Sequence, residues 1–265
     1  MPVLNAIEQG SRIPAWDAPV LLANALREAC TAHYDPGRHC FDYVAFAQSP
    51  AYAALRLAAR ALADFECASL RIGLRLAFWL NVYNALVLHA VVARDARGGV
   101  RALADFFPGS QYVIGGHVFS LDAIEHGLLR VNAPRPGLGA RLLRRDDPRL
   151  KLAPYVYDER VHFAMYSACR SSPAPSAYPA EGLDESLERA TREYLAAHVR
   201  LGADGATLVV PKQLEWYAED FGGERGVFEF VAARLQGESE LHAVERLGFG
   251  LKLRYAEFDW TLNTA

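Results

Sequence analysis

Residues 72–94 read IGLRLAFWLNVYNALVLHAVVAR. Apolar side chains cover nearly every side of that stretch, so a helix built from it has no face to give to water and belongs in the centre of a fold. It carries Arg75, Asn81, Asn84 and His89, which argues against a bilayer span. Gly98 and Gly99 close it, and the elements on either side must wrap around it. Upstream, a helix opens near Pro19, with Asp17 as candidate cap ahead of Leu21, Leu22, Ala25 and Leu26. A turn follows at 34–38 (YDPGR), and Ser49-Pro50 is a cap and first-turn pair for a helix running to about Phe65. Downstream, Gly115-Gly116 between 112–114 and 118–120 marks a β-hairpin, and Ser120 caps the segment after it.

Further along, 184–200 has helical spacing through Leu187, Ala190, Tyr194 and Leu195. Short strands are predicted at 206–210 and 251–255, with helices at 212–219 and 225–235. No repeat and no composition break divides the chain. The expectation is one α+β domain, mainly helical, with a small antiparallel sheet around the buried central helix. Residues 1–41 are expected as an N-terminal helical extension to a compact unit of 42–265.

The chain has 265 residues, 52% of them hydrophobic, and a net charge of −3. That is ample core material, and the charge leaves no basic footprint for nucleic acid. Cys30, Cys40, Cys67 and Cys169 are widely spaced, which disfavours a disulfide framework or a structural zinc site. The opening residues lack the charged and apolar regions of a signal peptide, so a cytoplasmic location with reduced thiols is expected. No nucleic acid and no membrane is expected as partner.

Chemistry concentrates in 160–173, RVHFAMYSACRSSP. Read as a strand, it turns His162 to the face opposite Val161 and Phe163 and runs into a loop of candidate nucleophiles: Ser167, Cys169, Ser171 and Ser172. Cys169 is the sole thiol near the candidate base, and Arg170 stands beside it as a candidate contact to substrate. Glu125 and His126 are neighbours on a predicted helix, so they should point to different sides of it. Asn81 and Asn84, one turn apart on the apolar helix, either tie a loop to the core or donate to a substrate oxygen; Tyr83 lies between them. Near the end, Asp259 or Asn263 could orient an imidazole as the third member of a triad does. Glu125, His126, His162 and Cys169 are all permissible metal ligands, but without paired spacing no metal and no cofactor is expected.

Four blocks, AFWLNVYNALVLHAV (77–91), SLDAIEHGLLR (120–130), RVHFAMYSACRSSP and FDWTLN (258–263), together resemble the domain-of-unknown-function 547 family, over roughly residues 42–263. The resemblance implies kinship with papain-like and transglutaminase-like cysteine enzymes, hence a fold of that type. It places Asn81, Tyr83, Asn84, Glu125, His126, His162, Asp259, Trp260 and Asn263 at matching positions. It also implies cysteines where this chain has Ser167 and Ser172.

The resulting expectation is a hydrolase or acyl transferase acting on an amide, ester or thioester of a small metabolite or a carrier-bound acyl group in biosynthesis. His162 would be the base, Cys169 or Ser172 the nucleophile, Asp259 or Asn263 the orienter, and Asn81 or Asn84 the oxyanion donor. An acid–base enzyme without covalent intermediate (an isomerase, cyclase or lyase) using His126, His162 and Glu125 is the alternative, and a binding module is a further one.

Overall fold

The computed structural model describes residues 3–6 and 13–265. The central helix is α4 (Arg75–Ala93), and every residue from Ala77 to Val91 is buried, Asn81, Asn84 and His89 included. Residues 72–93 are long and apolar enough to cross a membrane by length and composition, and the stretch 77–91 within them is buried in the protein.

Against α4 pack α1 (Ala18–His33) and α3 (Pro50–Ala61), each presenting an apolar stripe: Leu22 and Leu26 from α1, Leu55 and Ala58 from α3. Thus α1, which falls within 1–41, shares the core of the main unit; positions 1–2 and 7–12 of that segment lie outside the described residues. Between α1 and α3 come β1 (Tyr34–Asp35), β2 (Cys40–Phe41) and the short α2 (Tyr43–Ala47). Ser49 caps α3 by accepting from Tyr52 N at 3.1 Å. Asp17 caps nothing with its side chain, because its backbone is already helical.

After the short α5 (Phe106–Gly109), β3 (Gln111–Ile114) and β4 (His117–Ser120) form the antiparallel hairpin. Gly115 and Gly116 make its turn at φ +57° and +75°, and a Cβ on Gly115 would sit 2.9 Å from the carbonyl oxygen of Phe65. The second half holds α6 (Leu183–His198), β5 (Arg200–Leu201), β6 (Thr207–Val210), α7 (Gln213–Trp216), α8 (Gly223–Ala232), α9 (Glu238–Leu247) and β7 (Lys252–Tyr255). The helix α9 was not foreseen. It is mostly polar and buries Ala243 alone.

The molecule is α+β and mainly helical, as expected, but among the described residues the strands form three small sheets. The last, β5-β6-β7, is mixed: β6 runs antiparallel to β5 and parallel to β7. The tail returns to the first half, where Phe41 N donates to Asn263 O at 2.7 Å.

Candidate active site

His162 does not lie on a strand. It belongs to a short 3-10 helix, Glu159–Phe163, started by Asp158, whose carboxylate accepts from Arg160 N at 3.0 Å. The local cap and the bond from Val161 N to Asp158 O satisfy the backbone there, which outweighs the alternating pattern. The ring is buried. Its Nε2 lies 2.9 Å from Asp220 Oδ2 and 2.9 Å from the Tyr157 hydroxyl, which itself donates to Asp220 at 3.1 Å. Tyr217 stacks on the ring at 4.0 Å. Burial lowers the His162 pKa, with the hydrogen bond to Asp220 acting against that. The ring is therefore neutral near pH 7, with Nε2–H donating to Asp220 and the lone pair on Nδ1. That Nδ1 is buried and has no hydrogen-bond partner among the described residues.

Asp220 sits in the turn Ala218–Phe221 that follows α7. Arg130 grips both its oxygens, Nε to Oδ2 at 2.6 Å and Nη2 to Oδ1 at 2.8 Å. Burial pushes the Asp220 carboxyl up, but the hydrogen bonds from His162 and Arg130 outweigh it and hold the group well below the usual carboxylate range. The same guanidinium donates through Nη1 to His126 Nδ1 at 3.1 Å. Arginine can only donate, so His126 must accept at Nδ1 and keep its proton on Nε2. One arginine therefore orients both histidines, one directly and one through Asp220.

Glu125 and His126 stand on a π-helix, Ala123–Leu129, not on an α-helix. Both neighbours nonetheless line the same cleft. Glu125 accepts from Tyr217 at 2.6 Å and from Tyr83 at 3.1 Å. Burial raises its pKa, but His126 and the Tyr217 hydroxyl prevail and keep it ionised. Just beyond the π-helix, Val131 and Asn132 both have positive φ (47° and 55°). A β-branched residue in that region stores strain of about 1–3 kcal/mol. Asn132 holds the bend in place through two bonds to the Leu143 backbone.

Of the expected nucleophiles, Ser167 lines the cleft and the others do not. Cys169 is fully buried, its Sγ donates to Ser167 O at 3.0 Å, and burial pushes its thiol up to about 12. Ser172 is also fully buried. Its Oγ accepts from Ser167 N at 2.8 Å and donates to Pro173 O at 2.9 Å. Ser171 and Asp259 are tied to each other, Asp259 N donating to Ser171 Oγ at 2.9 Å. The Asp259 carboxylate is exposed and caps Thr261, so the carboxylate beside the imidazole is Asp220 and not Asp259. Arg170 is exposed, outside the cleft. Asn263 is buried, where it accepts from Tyr43 at 2.8 Å and Tyr166 at 2.7 Å. Asn81 is consumed by two bonds to the Tyr178 backbone, and Asn84 by Ala164 O, Ser176 O and Tyr166 N. Neither amide is free for substrate.

The profile of the family described as "Protein of unknown function, DUF547" matches residues 68–195. The chain carries a DUF547 domain. No curated protein and no solved structure matches it. The matched region holds Tyr83, Glu125, His126, Arg130, His162 and Ser167. Asp220 and Tyr217, which contact His162 and Glu125, lie beyond the matched region.

The cleft itself is open and about 220 Å³ in volume. His126, His162 and Ser167 line it, with Trp216, Phe258 and Trp260 as an aromatic wall. Among the described residues, no three His, Cys, Asp or Glu side chains gather as a metal site. Sequence reasoning missed Asp220, Arg130, Tyr157 and Tyr217. A signal existed for two of them: 216–221 reads WYAEDF, acids set among aromatics, where a plain helix and turn were read instead.

Proposed function

We propose that the cleft transfers an acyl group from a small ester, thioester or amide to water or to a second acceptor. One observation carries this reading: His162 is among the residues lining the cleft, a buried carboxylate sits on its Nε2, and its Nδ1, itself buried, has no hydrogen-bond partner among the described residues. That is the base-and-orienter half of a triad. Ser167, the one aliphatic hydroxyl lining the cleft among the described residues, is the candidate nucleophile.

In this scheme His162 Nδ1 takes the proton of Ser167 Oγ as that oxygen attacks the acyl carbonyl. Asp220 stabilises the imidazolium that results. His162 then returns the proton to the leaving alcohol, thiol or amine as its bond to the acyl carbon breaks. Water, deprotonated by the same nitrogen, attacks the acyl-serine and regenerates the hydroxyl. His126 presents Nε2–H, fixed by Arg130, to the negative oxygen of the tetrahedral intermediate. A serine standing where the family resemblance implies a cysteine suits this scheme, as does the implied papain-like kinship, but neither carries it.

A second reading has its own support. Among the described residues no hydrogen bond joins Ser167 to His162, and proton transfer by His162 and His126 needs no covalent step. The test is incubation with a panel of activated esters and thioesters, followed by intact mass and turnover. The acyl-serine scheme expects an adduct that disappears in Ser167→Ala and in His162→Gln. Turnover that survives Ser167→Ala but not His162→Gln selects the non-covalent reading. No turnover in any case, with ligand binding intact, leaves a binding module.

A further inference from the structure

We propose that the cleft selects a substrate bearing a cationic nitrogen next to a flat apolar group, with Asp122 as its counter-ion and Trp216, Phe258 and Trp260 as its wall. This rests on the acyl-transfer reading of the same cleft and names the class of substrate it takes.

Asp122 immediately precedes the π-helix and lines the cleft. The other carboxylates of the site are satisfied, Glu125 by two tyrosine hydroxyls and Asp220 by Arg130 and His162. Among the described residues Asp122 makes no hydrogen bond and no ion pair, and its oxygens are not sealed from solvent. Burial, then the charge of Glu125, push its pKa above the ordinary range, while His126 and Arg135 act in the opposite direction from beyond contact distance. A carboxylate in that position has no cation in direct contact among the described residues, and a bound cation would supply one.

No lysine or arginine lines the cleft among the described residues. Arg130 is turned onto Asp220 and His126 and is spent there. A carboxylate or phosphate on the substrate would therefore meet Asp122 and Glu125 with no cation to pair it.

The aromatic wall fits the rest of the ligand. Trp216 and Trp260 stack at 5.6 Å, with Phe258 4.5 Å from Trp260 and 5.1 Å from Trp216. Such faces hold flat apolar groups and also attract cations. Trp260 already carries one, the Arg101 guanidinium 4.1 Å from its ring centre and outside the cleft lining. At about 220 Å³ the cleft admits one such group, not a whole carrier.

The test is direct binding, followed by tryptophan fluorescence or ligand-observed NMR, using the full chain at fixed ionic strength. Phenethylamine, 2-phenylethanol and 3-phenylpropanoate share a ring and differ in charge. Phenethylamine is expected to bind about tenfold tighter than 3-phenylpropanoate, a preference that Asp122→Asn abolishes while the alcohol binds as before. Trp260→Leu is expected to weaken all three. A carboxylate that binds as well as the amine, or a preference that survives Asp122→Asn, overturns the proposal. Binding does not depend on turnover. Amine preference without any acyl transfer sinks the catalytic reading alone, and acyl transfer without amine preference sinks this one alone.

Discussion

Asp220 Oδ2 lies 2.9 Å from His162 Nε2 across 58 residues of sequence, and the same oxygen is 2.6 Å from Arg130 Nε. Both members of the Arg130–Asp220 pair are almost wholly buried, so truncating one strands the other. Asp220→Ala is expected to cost roughly 3–5 kcal/mol in urea denaturation, because a buried guanidinium is left without its anion. Asp220→Asn keeps the shape but loses the charge facing both the imidazole and the Arg130 guanidinium. Turnover of an acyl substrate should fall by about 10²–10⁴. Wild-type turnover in Asp220→Asn would remove the pair from the mechanism.

Buried histidines make the fold acid-sensitive. Burial lowers His89 from 6.5 to about 4, and its Nδ1 is 2.9 Å from the Tyr112 hydroxyl. The folded pKa lies below the unfolded one, so the unfolded chain takes the proton first as pH falls. Stability is full above about 6.5 and erodes toward 4, by about 3 kcal/mol at most from this residue. His162, lowered in the same direction, adds to the loss. Asp220, with its folded pKa depressed, contributes stability above the ordinary carboxylate range that is lost at still lower pH. Denaturation midpoints at pH 7 and 4.5 measure the slope, which His89→Gln should flatten.

Three thiols should be silent in the native state. Burial pushes Cys30, Cys67 and Cys169 each up to about 12. Alkylation of these three by iodoacetamide at pH 8 should be negligible until denaturant is added. Cys169→Ala should leave turnover unchanged, and rapid labelling of native Cys169 would reopen its role as nucleophile.

Ser172 acts as a brace for Ser167. Ser172→Ala deprives the Ser167 N–H of its acceptor, at an expected cost of about 1–3 kcal/mol. Calorimetry of this variant beside Ser167→Ala separates bracing from chemistry: the first should lose stability, the second activity.

The histidines were legible because they stand in patterned surroundings, His126 after Glu125 and His162 ahead of a loop of hydroxyls. Their geometry was not. Alternation around His162 suggested a strand, but a capped 3-10 turn won locally, and neighbouring positions 125 and 126 line one cleft from a π-helix. The serine-rich loop looked like a set of nucleophiles. The tail crosses it, Arg170 N bonding to Thr261 O and Asn263 N to Ala168 O, and Cys169 is sealed within.

By itself the sequence determined the central helix, the Gly115-Gly116 hairpin and the mainly helical character of the fold, since each depends on side-chain periodicity and turn chemistry within a few residues. Tertiary structure alone decided which carboxylate meets His162, which hydroxyl reaches the cleft and which amides are used up as braces. Those outcomes depend on burial and on partners tens of residues away, and a linear pattern encodes neither.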